Sequence, residues 1–592
     1  MKRPAGGSWF FYLLFCLSLG LAWFFHRETK TFDDRRELWS DRAGYYIYLP
    51  AAYIYHFDAR RMPPDLDIRT GGGFAIDTAR NCIDTKYTYG VALMQAPFFV
   101  AAGVISRVAS FDSEHGFSIL YMRMMMLAAV IYLILALWLL KKFLDHHFRP
   151  AIGYLVVLLL FAGTNLFYYS LIDGMMSHIY SFFLAAVYLY ALLQFRKTDR
   201  YRWFLVLAAT LALITLIRPV NLLFLLLLFV PLETADVSIR NQLFRLLRPR
   251  YILALAIAFF LLFLPQMIYW KYLSGHWIHF SYGKEGFINW RHPRIAEVLF
   301  SPLNGLIPTT PLLLFMLTGI AAMWIRKIRG RGVISLLFLL VAFICGAWSM
   351  WYFGCSYGQR SFIEYYPILS VPLAVAVNGI LECRKFALRT LLFLLLLFTV
   401  YIPLRYTLVV YRHDRCYYGS TWDWDHYRRS LEKAGIFSPE TPVRSFCNDF
   451  ENLAIFPGRH PSTLFTRSGQ YSVRSDATDL QPVLFEKPLY EFRHPWPKRM
   501  IAEAWFLSPG HFRGGEEFYY TVSKDHSVLF SDSIPLAKVA ENPLSWQKIS
   551  GEFILPDVSD SSIVVRMSVR NPNGTLLFAD DLSVRFLYGW QP

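Results

Sequence analysis

Asp41 stands in the stretch Ser40-Asp41-Arg42-Ala43-Gly44-Tyr45-Tyr46, a short polar interval after the first hydrophobic segment. A carboxylate there, followed by glycine and tyrosines, can set a proton acceptor at a bilayer surface. Further ionisable groups sit at the ends of apolar runs. They are Asp84 and Lys86 in Asp84-Thr85-Lys86-Tyr87, Asp173 and His178, Arg218 before Pro219, and Arg360 and Glu364 in Tyr357-Gly358-Gln359-Arg360-Ser361-Phe362-Ile363-Glu364. Lys284, Glu285, Arg291 and His292 lie in a polar loop between two such runs. Cations grip phosphate, arginine in a bidentate fork, and a carboxylate can take the proton of a hydroxyl. Each residue alone has a plainer reading. Arg218 can snorkel, His178 can start a helix, Asp173 with Gly174 can make a turn, and Lys284 and Glu285 read as solvated loop charges. Their placement on one face of a membrane is what favours chemistry.

That placement rests on the elements around them. The chain has 592 residues, of which 55% are hydrophobic and 18% aromatic. Many apolar runs approach the ~20 residues that cross a ~30 Å hydrocarbon layer, so this is a polytopic membrane protein. The net charge of +16 sits largely in short basic loops, which speaks against nucleic-acid binding. Lys2 and Arg3 precede a run from Ser8 to Phe25 whose bulky end, Trp23-Phe24-Phe25, lacks a small-residue cleavage site, so it reads as a retained anchor. Later spans are expected at 118–140, 151–170, 177–195, 203–217, 220–232, 251–270, 302–325, 333–352, 362–380 and 388–409, about eleven in all. The basic loops Lys141–Arg149, Arg196–Arg202, Arg240–Arg250, Arg326–Arg331 and Arg384–Arg389 share the cytoplasmic side only if Tyr89–Val108, interrupted by Pro97, does not cross. It is therefore read as a juxtamembrane or re-entrant helix within a first outer loop, 26–117. A break is expected at Arg218-Pro219, because proline disfavours helix in the residue before it.

After Val410 the pattern changes. Alternating runs such as Gln547–Leu555 and Ser562–Val569, with a turn at Asn571-Pro572-Asn573-Gly574, predict an all-β sandwich over 441–592. Residues 1–410 form the membrane domain and 411–440 a linker with a short helix, Asp425 to Ala434. Span parity puts the β domain outside. None of the seven cysteines forms a Cys-x-x-Cys pair, so neither a zinc site nor a redox motif is indicated. Cys416 and Cys447 could pair if exported.

The ordered set Ser40–Tyr46, Asp84–Gly90 through Ala96-Pro97, Leu216–Asn221 and Ser356–Arg360 resembles the C-type glycosyltransferase superfamily. Its family 39-like members include protein O-mannosyltransferases and the lipid A aminoarabinose transferase. The resemblance covers about residues 1–410. It implies an α-helical polytopic enzyme of the bacterial cytoplasmic membrane, with its site and C-terminal domain on the extracytoplasmic face. A sugar would pass from a polyprenyl-phosphate donor to a glycan, lipid or protein acceptor, with inversion. On this resemblance Asp41 is the catalytic base. Lys86, Arg218 and Arg360 hold the donor phosphate. Asp84, His178, Gln359, Glu364 and Tyr45 position the substrates. Some relatives use a divalent cation, but no ligand cluster here demands one. Lys86-Tyr87 stands where the lipid A enzymes have Lys-Pro, and the His-Pro-Pro pattern of the mannosyltransferases is missing, so the acceptor stays open. The β domain resembles carbohydrate-binding jelly-roll modules. Two other classes were weighed: a transporter or flippase for a lipid-linked glycan, and a non-catalytic glycan-assembly scaffold. A transporter needs polar residues through the membrane depth, whereas these spans are clean in their middles.

Overall fold

A computed structural model describes residues 6–27, 37–109, 116–229, 246–283, 285–354, 356–411, 424–436, 442–448, 450, 461–492, 497, 499–510, 515–525, 527–536, 539, 544–555 and 562–587. Lys284 and Cys416 lie outside the described residues. The chain divides into two compact units, 1–437 and 438–592.

The first unit is helical. Six of its helices are long and apolar enough to cross a membrane: Gly90–Val108, Ile119–Leu144, Ser177–Thr198, Pro249–Ser274, Arg360–Leu381 and Phe386–Tyr411. Shorter apolar helices cover Trp9–Phe25, Pro150–Ala162, Tyr201–Ile217, Pro219–Phe229, Leu313–Ile325 and Arg331–Ala347. Together they fall on every segment read from the sequence as a span. Some are shorter than expected, for local reasons. The run 302–325 is broken by Asn304 in a left-handed conformation (φ 55°), and after a single turn over Leu306–Thr309 the longer helix begins only at Leu313.

Burial separates centre from periphery. Ser177–Thr198 and Arg360–Leu381 are 78% buried, whereas Pro249–Ser274 and Phe386–Tyr411 are 17% buried. The peripheral pair turns apolar faces outward, which hydrocarbon tolerates and water does not. Both central helices begin at candidate site residues, and one of them ends at basic ones. Ser177–Thr198 runs from His178 to Arg196 and Lys197. Tyr201–Ile217 returns and stops at Arg218, where Pro219 begins a 3-10 turn. That segment folds back, because the Arg196 guanidinium donates to the Leu227 carbonyl at 2.7 Å. His178 and Arg218 therefore lie at the opposite end of the bundle from Arg196 and Lys197.

Gly90–Val108 is long enough to span, and two of its glycines pack against the candidate-site ends of neighbouring helices. A Cβ on Gly90 would lie 2.8 Å from Ile217, the last residue of its helix, and one on Gly103 would lie 3.4 Å from Tyr121. Tyr121 belongs to the first turn of Ile119–Leu144, far from that helix's basic end. A helix over Trp424–Lys433 belongs to the same unit. Its Tyr427 hydroxyl donates to the Pro308 carbonyl at 2.8 Å, and the Arg405 guanidinium donates to the Ala434 carbonyl at 2.7 Å.

The second unit is a sandwich of two antiparallel sheets. One carries the strands Gln547–Ile554, Arg499–Leu507, Leu577–Leu587, Ser472–Ser475 and Pro461–Ser462 in that order, with Pro442–Asn448 also paired to Leu577–Leu587. The other runs Val483–Pro488, Ile563–Arg570, Glu517–Lys524, Ser527–Pro535. Alternate residues meet between the sheets, as period-two strands require. Phe506 contacts Phe518 and Tyr520 contacts Phe553. Cys447 is a free, exposed thiol.

Candidate active site

Asp41 opens a one-and-a-half-turn helix, Asp41–Tyr46, which close backbone packing holds in place. A Cβ on Gly73 would sit 1.9 Å from the Ser40 carbonyl oxygen, and one on Gly44 would sit 2.4 Å from the Gly73 carbonyl oxygen. Only glycine permits these approaches. The Thr85 hydroxyl donates to the Gly44 carbonyl at 3.0 Å, and the Tyr48 hydroxyl donates to the Tyr87 carbonyl at 2.8 Å. Arg42 pairs with Asp173 at 3.3 Å. The helix that carries Asp41 is thus fastened both to the segment carrying Lys86 and to the turn that precedes His178.

Arg360 is aimed from the opposite side. Its segment is anchored by Gly358, whose φ of 64° suits glycine and whose missing side chain leaves room for Thr309, 2.5 Å from a would-be Cβ. The Gly358 N–H donates to Asn304 Oδ1 at 3.0 Å, and Asn165 Nδ2 donates to the Tyr357 carbonyl at 3.0 Å. From this brace Arg360 Nη2 donates to Asp41 Oδ2 at 2.9 Å. Lys86 Nζ lies 4.0 Å from Asp41 Oδ1 and 3.2 Å from Glu285 Oε1. It also lies over the rings of Tyr87 and Tyr282, at 5.4 and 5.7 Å. The four ionic side chains stay partly open to solvent, from 17% for Arg360 to 34% for Glu285. Burial pushes the Asp41 carboxyl up, but Arg360 and then Lys86 outweigh it and hold it at about 2.

A second ionic group lies deeper. Arg218 Nη1 donates to Glu364 Oε1 at 2.8 Å, and Nη2 donates to Ser361 Oγ at 2.9 Å. His178 Nδ1 is 3.1 Å from Glu364 Oε1 and 3.2 Å from Arg218 Nη1. Glu364 and His178 side chains are 2% and 3% exposed, Arg218 22%. Tyr45 sits between the two groups. Its hydroxyl donates to Ser177 Oγ at 3.2 Å, its ring lies 4.0 Å from that of Tyr87, and it feels both Asp41 and Arg218. Burial, with Tyr282 and Asp41, raises the Tyr45 phenol well above its ordinary value, so it stays protonated.

Asp41, Lys86, Arg360, Arg218, His178, Glu364 and Tyr45 are thus brought together. Gln359 and Asp84 are not. Gln359 is fully buried and its Nε2 donates to the Trp351 carbonyl at 3.2 Å, so it braces the Arg360 segment. Asp84 is exposed at the end of the strand Cys82–Asp84 and makes none of the contacts described. Arg291 and His292 are exposed as well. Glu285, which reads as a solvated charge in the sequence, is the ion partner of Lys86. Only its position in a loop flanked by aromatic residues hinted at this. Among the described residues no group of three or more His, Cys, Asp or Glu could hold a metal ion.

Beside this site runs a cavity of about 790 Å³. Its walls include Tyr48, Leu93, Pro265, Ile268 and Tyr269, with His56 and Asn81. Tyr48 and Ile83 separate it from the Asp84–Lys86 segment. Leu93 and Ile268 are exposed.

No family model matches the chain, and no curated protein matches it. Among solved structures, the chain is similar to ArnT from Cupriavidus metallidurans bound to undecaprenyl phosphate. The identity is 13%, over 73% of this chain and 70% of that one, with a TM-score of 0.42. It is similar to the arabinosyltransferase EmbB from Mycobacterium smegmatis at 11% identity, over 99% of this chain and 65% of that one, with a TM-score of 0.36. Its C-terminal part is similar to the CBM22-1 xylan-binding domain of Xyn10C from Paenibacillus barcinonensis, at 11% identity over 26% of this chain and 90% of that one, with a TM-score of 0.17. None of these likenesses bears on the chemistry of the site.

Proposed function

We infer that this chain is a membrane glycosyltransferase of the C-type superfamily, moving a sugar from a polyprenyl-phosphate donor to an acceptor hydroxyl. The observation that carries the reading is the ion pair of Asp41 with Arg360, with Lys86 alongside. A proton acceptor and two phosphate-binding cations from three distant parts of the chain meet at one partly open site. The positive-inside bias assigns the basic ends of the bundle to the cytoplasm, which puts Asp41 on the extracytoplasmic face.

In the reaction, the acceptor oxygen attacks the anomeric carbon while the bond from that carbon to the donor phosphate oxygen breaks. The phosphate leaves with the electron pair, and attack from the opposite face inverts the centre. Lys86 and Arg360 neutralise the charge that grows on the phosphate, as fixed cations do in a site shielded from water. Asp41 takes the hydroxyl proton. Held at about 2, it is a poor match for that task, because a general base works best near the operating pH. Donor binding resolves the mismatch. Once Arg360 and Lys86 turn to the phosphate, the burial that raises the Asp41 carboxyl is no longer outweighed. Arg218, tied up by Glu364, shapes the floor beneath Tyr45, and its exposed edge faces the same space. The apolar cavity beside Tyr48 suits the lipid chain of the donor.

The test is incubation of purified protein with a panel of polyprenyl-phosphate sugars, scoring free polyprenyl phosphate. Wild type should release it from one member of the panel, and Asp41→Asn should not. Equal release by both would remove Asp41 from the mechanism.

A further inference from the structure

The three cations around Tyr45 each face a carboxylate: Arg360 faces Asp41, Arg218 faces Glu364, and Lys86 faces Glu285. These pairs are not equivalent. Asp41 belongs to the chemistry proposed above, and Glu364 is buried and shared with His178. Glu285 has neither constraint. It is about one-third exposed, as is Lys86, and it comes from a loop far away in sequence. That loop is fixed at Lys86 itself, where Ser281 Oγ donates to the Lys86 carbonyl at 2.8 Å. On the other side the Gly286 N–H donates to Ser349 Oγ at 3.3 Å, and the Ser349 N–H donates to the Gly286 carbonyl at 2.8 Å. The Tyr87 and Tyr282 rings flank the ammonium. Lys86 therefore points into a box whose one easily replaced wall is a carboxylate oxygen.

We propose that Glu285 is an internal counter-ion that occupies the phosphate position on Lys86 and is displaced by the phosphate of an incoming phosphate monoester or diester. This rests on the functional reading above and adds a residue that sets the affinity for the phosphate. An exposed Lys–Glu pair is weak, so exchange for a phosphate, which carries more charge and more acceptor oxygens, is favourable. A neutral lipid cannot make the exchange. Glu285 is thus an internal competitor that every phosphate ligand must displace, and it lowers their affinity without touching ligands that leave Lys86 alone. While Glu285 holds Lys86 at 3.2 Å, the ammonium stays 4.0 Å from Asp41. Glu285 acts through Lys86, so it is a positioning residue.

The test uses the full-length purified protein and titrates farnesyl phosphate, farnesol and inorganic phosphate against wild type, Glu285→Gln, Lys86→Ala and the double variant. Glu285→Gln should bind farnesyl phosphate about two- to fivefold more tightly, the range that loss of a weak exposed pair allows, with farnesol unchanged. In transfer assays KM for the donor should fall without a rise in kcat. The gain should vanish in the double variant. Tighter inorganic phosphate as well would mean that the exchange reads phosphate alone. Tightening confined to farnesyl phosphate would mean that it needs the lipid-borne group. Unchanged or weaker farnesyl phosphate binding by Glu285→Gln, where Lys86→Ala weakens it, overturns the counter-ion role and leaves the functional reading standing. Wild-type binding by Lys86→Ala overturns both.

Discussion

Two ionic groups share one end of the bundle and differ in depth. Around Asp41 the side chains keep roughly a sixth to a third of their surface. Around Glu364 the acid and the histidine are shut away, and only Arg218 reaches out. An accessible carboxylate can meet a substrate hydroxyl. A buried one held by an arginine and a histidine serves mainly to fix those side chains, because removing one member strands a charge in low dielectric. The same residue types thus divide into a partly open group, to which the proposed mechanism gives the chemistry, and a buried one, to which it gives the architecture. Sequence proximity to the membrane could not make that division, and burial does.

Substitutions in the two groups should fail in different ways. Asp41→Asn should lower kcat about 10²–10⁴-fold, the range for loss of a general base, while it costs only the small stability of its partly exposed ion pairs. Glu364→Ala should do the reverse, destabilising the membrane unit by about 3–5 kcal/mol, seen as a lower unfolding temperature in detergent before any KM effect is measured. If Glu364→Ala left stability intact and removed turnover, the division between the groups would collapse. Lys86→Ala should raise the donor KM about 10–100-fold, as loss of a charge-assisted contact of ~1.5–3 kcal/mol implies, with a smaller change in kcat.

The pH profile sharpens the same contrast. The Asp41 carboxyl is depressed in the free protein, so its ion pairs contribute stability that is complete above the unfolded value of ~3.9 and lost as pH falls through about 2. Between pH 7 and 5 neither stability nor the Asp41 contribution to kcat/KM should change. The acid limb of kcat, which reports the donor-bound state, should lie at higher pH than that of kcat/KM. Coincident limbs would mean that Arg360 and Lys86 do not leave Asp41. The smallest effect is expected from Asp84→Asn, within about 0.5 kcal/mol in stability and no more than a twofold change in turnover.

Much of this was legible in the sequence because hydropathy and loop charge are local signals. They gave the spans, the break at Arg218-Pro219 and the common end that holds Asp41, Lys86, His178, Arg218, Arg360 and Glu364. Period-two alternation over Gln547–Leu555 and Ser562–Val569 gave the sandwich. Pairing was not legible, because it is long-range. Arg360 and Asp41 are 319 residues apart, and Lys86 and Glu285 are 199 apart. Asp84 and Gln359 were drawn into the site because they neighbour Lys86 and Arg360. The strand end turns Asp84 to solvent, and the buried Trp351 carbonyl captures Gln359.

The account turns on whether the cations of Asp41 change partners when donor binds. A structure of the full chain with a polyprenyl phosphate decides this most directly. The account predicts the phosphate between Arg360 and Lys86, with Asp41 and Glu285 released and the lipid chain in the cavity beside Tyr48. A phosphate bound elsewhere, with the Arg360–Asp41 pair still closed at 2.9 Å, would contradict it.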